Sequence, residues 1–164
     1  MIVVDSNILA ARNLTGVQTP LAERVESIDC LWVVPPLWRY EFQNILVKGL
    51  WSRQLTTVEA LQVWRTVMTR MADNERDPSP ERVIDLASHY RITAYDANFI
   101  ALALEMDVLC VTEDAELQQK FPAIAVGMEP FIQRGTPDGE VRESRAVYRP
   151  HKRGTAKRRR TPCT

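Results

Sequence analysis

Four acidic residues stand where strands end or helices begin: Asp5, Glu41, Asp96 and Asp114. Asp5 closes the β-branched run Ile2-Val3-Val4, and Asp114 follows the apolar run Val108-Leu109-Cys110-Val111 by way of Thr112 and Glu113. Glu41 lies in a helical pattern from 37 to 51, with Asn44 one turn on and on a similar face. Asp96 opens a stretch in which Phe99, Ile100, Ala103 and Leu104 recur at helical spacing, ending near 105–107. Each acid also has a plain structural reading. Asp5 and Asp114 can cap helices, and a Glu on a mostly apolar helix is commonly a solvated-edge residue.

If the four converge, their chemistry is constrained. Two carboxylates about 5 Å apart repel by roughly 3 kcal/mol at an effective dielectric near 20. Such a cluster takes up protons or binds a cation. Hard divalent ions with oxygen ligands fit, and Mg²⁺ (or Mn²⁺) suits a few carboxylates plus waters and a substrate phosphate. No EF-hand spacing is present, and two histidines without a Cys-x-x-Cys argue against zinc. An all-carboxylate site without a nucleophile points to phosphodiester hydrolysis by activated water.

The elements that must position these acids alternate in type. Short apolar runs at 2–4, 31–34, 108–111 and 124–126 read as strands. Between them, helical patterns cover 16–28 (after a loop), 37–51, 56–72, 80–90, 96–105 and 114–121. Alternation without hairpin signals predicts an α/β fold with a parallel sheet and helices on both faces. Trp64, Val67, Met68 and Met71 form a stripe for the core or a subunit interface, and the helices at 37–51 and 56–72 are candidates for an apolar dimer face.

The zero net charge conceals an asymmetry. Residues 1–133 hold 11 Lys/Arg against 18 Asp/Glu, whereas 134–164 hold 10 against 3. The closing stretch, ending HKRGTAKRRRTPCT, is poor in aliphatic residues, so 133–164 is expected to be a basic, disordered tail after a domain spanning 1–132. It reads equally as an electrostatic arm for nucleic acid or as a solvated tail. No apolar run reaches 18 residues, which argues against a membrane span. Cys30, Cys110 and Cys163 read as buried thiols of a cytoplasmic protein.

The succession VVDSN, PPLWRYEFQNIL, TAYDANFIALALE and VLCVTEDAEL, in this order and spacing, resembles a PIN domain of the VapC-type toxin family over residues 1–132. The resemblance implies a three-layer α/β/α fold with a central parallel sheet. It also implies a Mg²⁺- or Mn²⁺-dependent endoribonuclease, usually a homodimer, acting as the toxin of a type II toxin–antitoxin pair. A small antitoxin protein would insert a charged segment into the site. By motif, Asp5, Asp96 and Asp114 would hold the metal directly or through water, and Glu41 would orient or deprotonate the attacking water. Ser6 and Asn7 match the small polar positions after the first acid, Asn44 stands beside Glu41, and Thr112 opens the T-x-D motif. The basic tail departs from the family, which usually stops soon after its last strand.

Other readings compete. A haloacid-dehalogenase-like phosphatase would want a second Asp at position 7, which is Asn. A phosphoreceiver reading fails where the 31–34 run stops at Pro35-Pro36. A PIN-like module that binds RNA or a partner without cutting stays open, as does a DNA-directed metal nuclease, since acids alone do not tell ribose from deoxyribose.

Overall fold

The computed structural model describes residues 1–135; the basic tail beyond them, and Cys163 with it, lies outside the described residues. Four strands, β1 (Ile2–Val4), β2 (Trp32–Val33), β3 (Cys110–Val111) and β4 (Ala125–Val126), form one parallel sheet in the order β2-β1-β3-β4. Every strand residue is buried, as expected of apolar runs covered on both faces. Val3 pairs with Val33 on one side and Cys110 on the other. The chain therefore steps outward from β1 to β2, then returns past β1 to β3. The winding direction reverses between β1 and β3, and there a parallel sheet opens a crevice beyond its strand ends.

Eight helices cover the sheet among the described residues: α1 (Ser6–Asn13), α2 (Thr19–Ile28), α3 (Trp38–Trp51), α4 (Thr57–Met71), α5 (Pro80–Tyr90), α6 (Ala94–Met106), α7 (Ala115–Lys120) and α8 (Met128–Gly135). One layer joins α1 to α2, α3 and α4, with α8 against α2. The other places α6 on β1 and β3, with α5 beside it. The architecture is the expected α/β one with a central parallel sheet between helical layers.

Local chemistry explains the boundaries. Thr56 and Glu59 close a reciprocal capping box ahead of α4. Ser79 caps α5 with Pro80 in its first turn, and α6 stops at Asp107, whose φ of 54° is left-handed. The stripe on α4 belongs to the core: Trp64 lies 5.8 Å from Trp38 and 6.4 Å from Phe42 between ring centroids, and Val67 and Met71 are buried.

Three expectations need correction, and one helix was not expected. Asp96 does not open its helix; Thr93 accepts the Asp96 N–H as cap, placing Asp96 at the third helical position. Cys30 is exposed rather than buried, because the strand begins two residues later, at Trp32. Residues 6–13 form a helix that the sequence reading passed over. Finally, residues 133–135, placed in the tail, complete α8, whose Phe131 and Ile132 are buried. Gly135 ends it so close to Ile28 that a Cβ would lie 2.7 Å from that side chain. No helix among the described residues is long and apolar enough to cross a membrane.

Candidate functional site

All four acids stand at helix N-termini. Asp5 is the N-cap of α1 and Asp114 that of α7, while Glu41 and Asp96 lie in the first turns of α3 and α6. A helix start carries unpaired N–H groups and the positive end of the macrodipole, so each anion gains local compensation. Because α1 and α7 follow β1 and β3 directly, Asp5 and Asp114 fall at the C-terminal edge of the sheet, at the reversal of winding.

Asp5 is the hub. Although it occupies the N-cap, its side chain makes no capping hydrogen bond. Its Oδ2 instead accepts the Thr112 hydroxyl at 2.6 Å and Asn7 Nδ2 at 2.7 Å. The fully buried Thr112 Oγ1 accepts the backbone N–H of Asp114 at 3.0 Å and Asn7 Nδ2 at 3.3 Å. Asn7 Oδ1 accepts the Glu113 N–H at 3.3 Å. The ends of β1 and β3 are thus tied together by side chains, with Thr112 in the middle. Buried Ser6 donates to Glu41 Oε2 at 2.6 Å, linking α1 to α3.

Charge couples three of the acids. Burial pushes the Asp5 carboxyl above its ordinary range and the Asp96 charge adds to this, against the Thr112 hydroxyl and the nearby N–H groups of Ser6 and Asn7. Burial likewise raises Glu41, opposed by the Ser6 hydrogen bond and reinforced by Asp5 and then Asp96. Asp5, Glu41 and Asp96 therefore share one field. Asp114 stands apart: its Oδ1 accepts the Leu117 N–H at 3.0 Å to cap α7. Asp96 Oδ2 accepts the Thr93 hydroxyl at 2.6 Å. Exposed Asn44 makes no side-chain hydrogen bond among the described residues.

Among the described residues, no three His, Cys, Asp or Glu side chains are grouped tightly enough to enclose a metal ion. The donor set still fits a hard cation. It is all oxygen, burial holds Asp5 and Glu41 toward their protonated forms, and Mg²⁺ uses one or two carboxylates beside waters and phosphate.

The sequence reading missed three supports. Glu75 accepts Trp38 Nε1 at 2.7 Å and Arg39 Nε and Nη2 at 2.6 Å each, while its backbone bridges Val34. This clamp fixes the start of α3, one turn before Glu41. Glu113 Oε1 accepts the Met128 N–H at 2.8 Å, holding the start of α8 against the loop after β3. Gln118 donates to the Thr112 carbonyl at 2.8 Å. The one available signal was that an indole N–H at a buried position needs an acceptor, and nothing local identifies which acceptor.

No family model matches the chain, and no curated protein matches it. Among solved structures it is similar to the crystal structure of PAE2754 from Pyrobaculum aerophilum, with a TM-score of 0.64 and 23% identity over 82% of this chain and 88% of that one. At that identity the likeness shows a shared fold.

Proposed function

We propose that this chain is a PIN-type, Mg²⁺- or Mn²⁺-dependent endoribonuclease, the toxin of a type II toxin–antitoxin pair working in the cytoplasm. The observation that carries the reading is the shared field of Asp5, Glu41 and Asp96 beside the reversal of sheet winding. Three acids whose charges bear on one another, at the edge where parallel sheets bind ligands, suit a cation and an anionic substrate. Asp5, Asp96 and Asp114 would hold the metal, directly or through water. When bound, the ion would lower the proton affinity of a water and offset charge on the scissile phosphate. Glu41, its carboxyl raised by burial and its position held by the Ser6 hydroxyl, suits proton transfer from the attacking water. Thr112 and Asn7 hold Asp5 in place, and Asn44, exposed one turn beyond Glu41, is available to substrate.

The test is cleavage of a structured RNA pool with Mg²⁺ or Mn²⁺ against EDTA, wild type beside Asp5→Asn. Metal-dependent cutting lost in the variant is expected, and turnover by Asp5→Asn equal to wild type would sink the assignment. A second reading, a PIN-like module that binds RNA or a partner without cutting, is favoured by the absence of a tight acidic triad among the described residues. Binding without cleavage under every metal condition would select it. Cleavage of DNA in place of RNA would select the DNA-directed nuclease.

A further inference from the structure

Helix α3 carries more than Glu41. At the helical repeat, Glu41, Asn44, Lys48 and Trp51 fall within an arc of about 80°, so the four make one stripe along the helix. Asn44 and Lys48 are exposed, and Trp51 stands 77% exposed. Trp51 lies about 15 Å along the axis from Glu41, where α3 gives way to the turn before α4. That turn folds tightly onto the helix end. The Arg53 N–H meets the Leu50 carbonyl, and the Gln54 and Leu55 N–H groups meet that of Gly49. Exposed Arg53 is thereby kept beside the end of the stripe.

A lone exposed apolar side chain is ordinary. Trp51 differs in its surroundings. The side chains of Lys48 and Arg53 make no hydrogen bond or ion pair among the described residues, whereas Arg12, Arg39, Arg70, Arg82 and Lys120 are each paired with a carboxylate. No Asp or Glu occurs between Glu41 and Glu59, in a body where acids outnumber bases. The far end of α3 thus joins an open indole to two unneutralised cations, on the same face as an acid of the site.

We propose that Asn44, Lys48, Trp51 and Arg53 form an RNA-binding track that holds the strand away from the acids and leads it along α3 to Glu41. The proposal takes RNA from the nuclease reading above and adds a binding site to it. The acids repel phosphate, so a strand needs its footing elsewhere, and free cations supply it. The indole offers a stacking face to any base without reading its edge. Polar Ser52 and Gln54 beside Trp51 suit a solvated polyanion better than the interior of a membrane.

The test uses the full chain carrying Asp5→Asn, so that RNA is not consumed, and titrates a labelled RNA oligonucleotide at several salt concentrations. Trp32 and Trp38 are buried and Trp64 is packed against Trp38, so acrylamide quenching reports chiefly on Trp51. RNA is expected to shield it. Trp51→Ala should weaken binding roughly fivefold to a hundredfold, and Trp51→Phe should recover most of the loss. Lys48→Gln and Arg53→Gly should each lower the salt slope by about 0.7, the share of one phosphate contact. Arg53 has a φ of 57°, which glycine adopts freely, so its loss of binding would not come from misfolding. Parent-like binding by Trp51→Ala, or unchanged salt slopes, overturns the track. Shielding by phosphatidylglycerol vesicles and not by RNA overturns it in favour of a membrane surface. Shielding that grows with protein concentration without RNA overturns it in favour of a second copy. The two readings fail separately: turnover by Asp5→Asn equal to wild type sinks the nuclease and leaves the track, and parent-like binding by Trp51→Ala does the reverse.

Discussion

Thr112 shows how much one side chain decides here. Its hydroxyl proton is committed to Asp5, and its oxygen accepts both the Asp114 N–H and Asn7. Thr112→Val keeps the shape but leaves a part-buried N–H unsatisfied and strips Asp5 of its main compensating bond. We expect a loss of about 1–3 kcal/mol in urea denaturation. Asp5 and Glu41 allow a signed pH prediction. Both are raised from ordinary values of 3.8 and 4.5, so in the metal-free fold each favours its protonated form. Their contribution to stability is full below those values and is lost as pH rises through the raised folded ones. Asp5→Asn removes the Asp5 share. In EDTA, its Tm relative to wild type should therefore become more favourable from about pH 4 upward. A difference that is flat with pH would show that Asp5 is not held toward its protonated form.

At the scale of elements, the site is a meeting of helix starts, and what fixes those starts matters as much as the acids. Glu75 clamps α3 through Trp38 and Arg39. Glu75→Ala should cost about 1–3 kcal/mol by leaving a buried indole N–H without an acceptor, whereas Glu75→Gln should recover most of this because an amide oxygen still accepts. Activity should follow the same order, since Glu41 lies one turn beyond. By contrast Thr56→Ala, which opens the capping box of α4, should cost about 1 kcal/mol and leave turnover unchanged. Which elements were legible follows from locality. Apolar runs and the α3, α4 and α5 patterns are short-range signals, and so are the Asp114 cap and the end of α6. Helix α1 was illegible because only Ser6, Ile8 and Leu9 are buried, which is no helical stripe. Helix α8 was illegible because Pro130 and Gly135 interrupt a stretch of only eight residues, too short to show a helical period. The Glu75 clamp joins residues 36 and 37 positions apart, beyond the reach of any periodicity.

For the whole molecule, the sheet order matters most. Strands of two or three residues give little hydrogen bonding of their own, so the fold rests on the buried side chains between the helical layers. That the four acids could meet was legible from their placement at strand ends and helix patterns. That Asp5, Glu41 and Asp96 share a field was not, because it depends on side-chain orientation. The acidic body sets a further expectation: an RNA substrate, as proposed, would approach it against net repulsion, and the positive excess lies in residues 134–164. Replacing Arg158, Arg159 and Arg160 by Gln should lower the salt slope of single-stranded RNA binding by about 2 if all three engage phosphates. An unchanged slope would make that stretch a solvated tail.

Thr112 and Asp5 stand 107 positions apart, and β1 must wait for β3 before either can be held. Closing so long a loop comes at a kinetic cost, and contacts of this range form late. During synthesis, the first strand would leave the ribosome long before its inner neighbour exists. The chain would thus remain harmless to the RNA around it until nearly the whole body had been made. In refolding from urea, cleavage should return with the slowest folding phase and never before it.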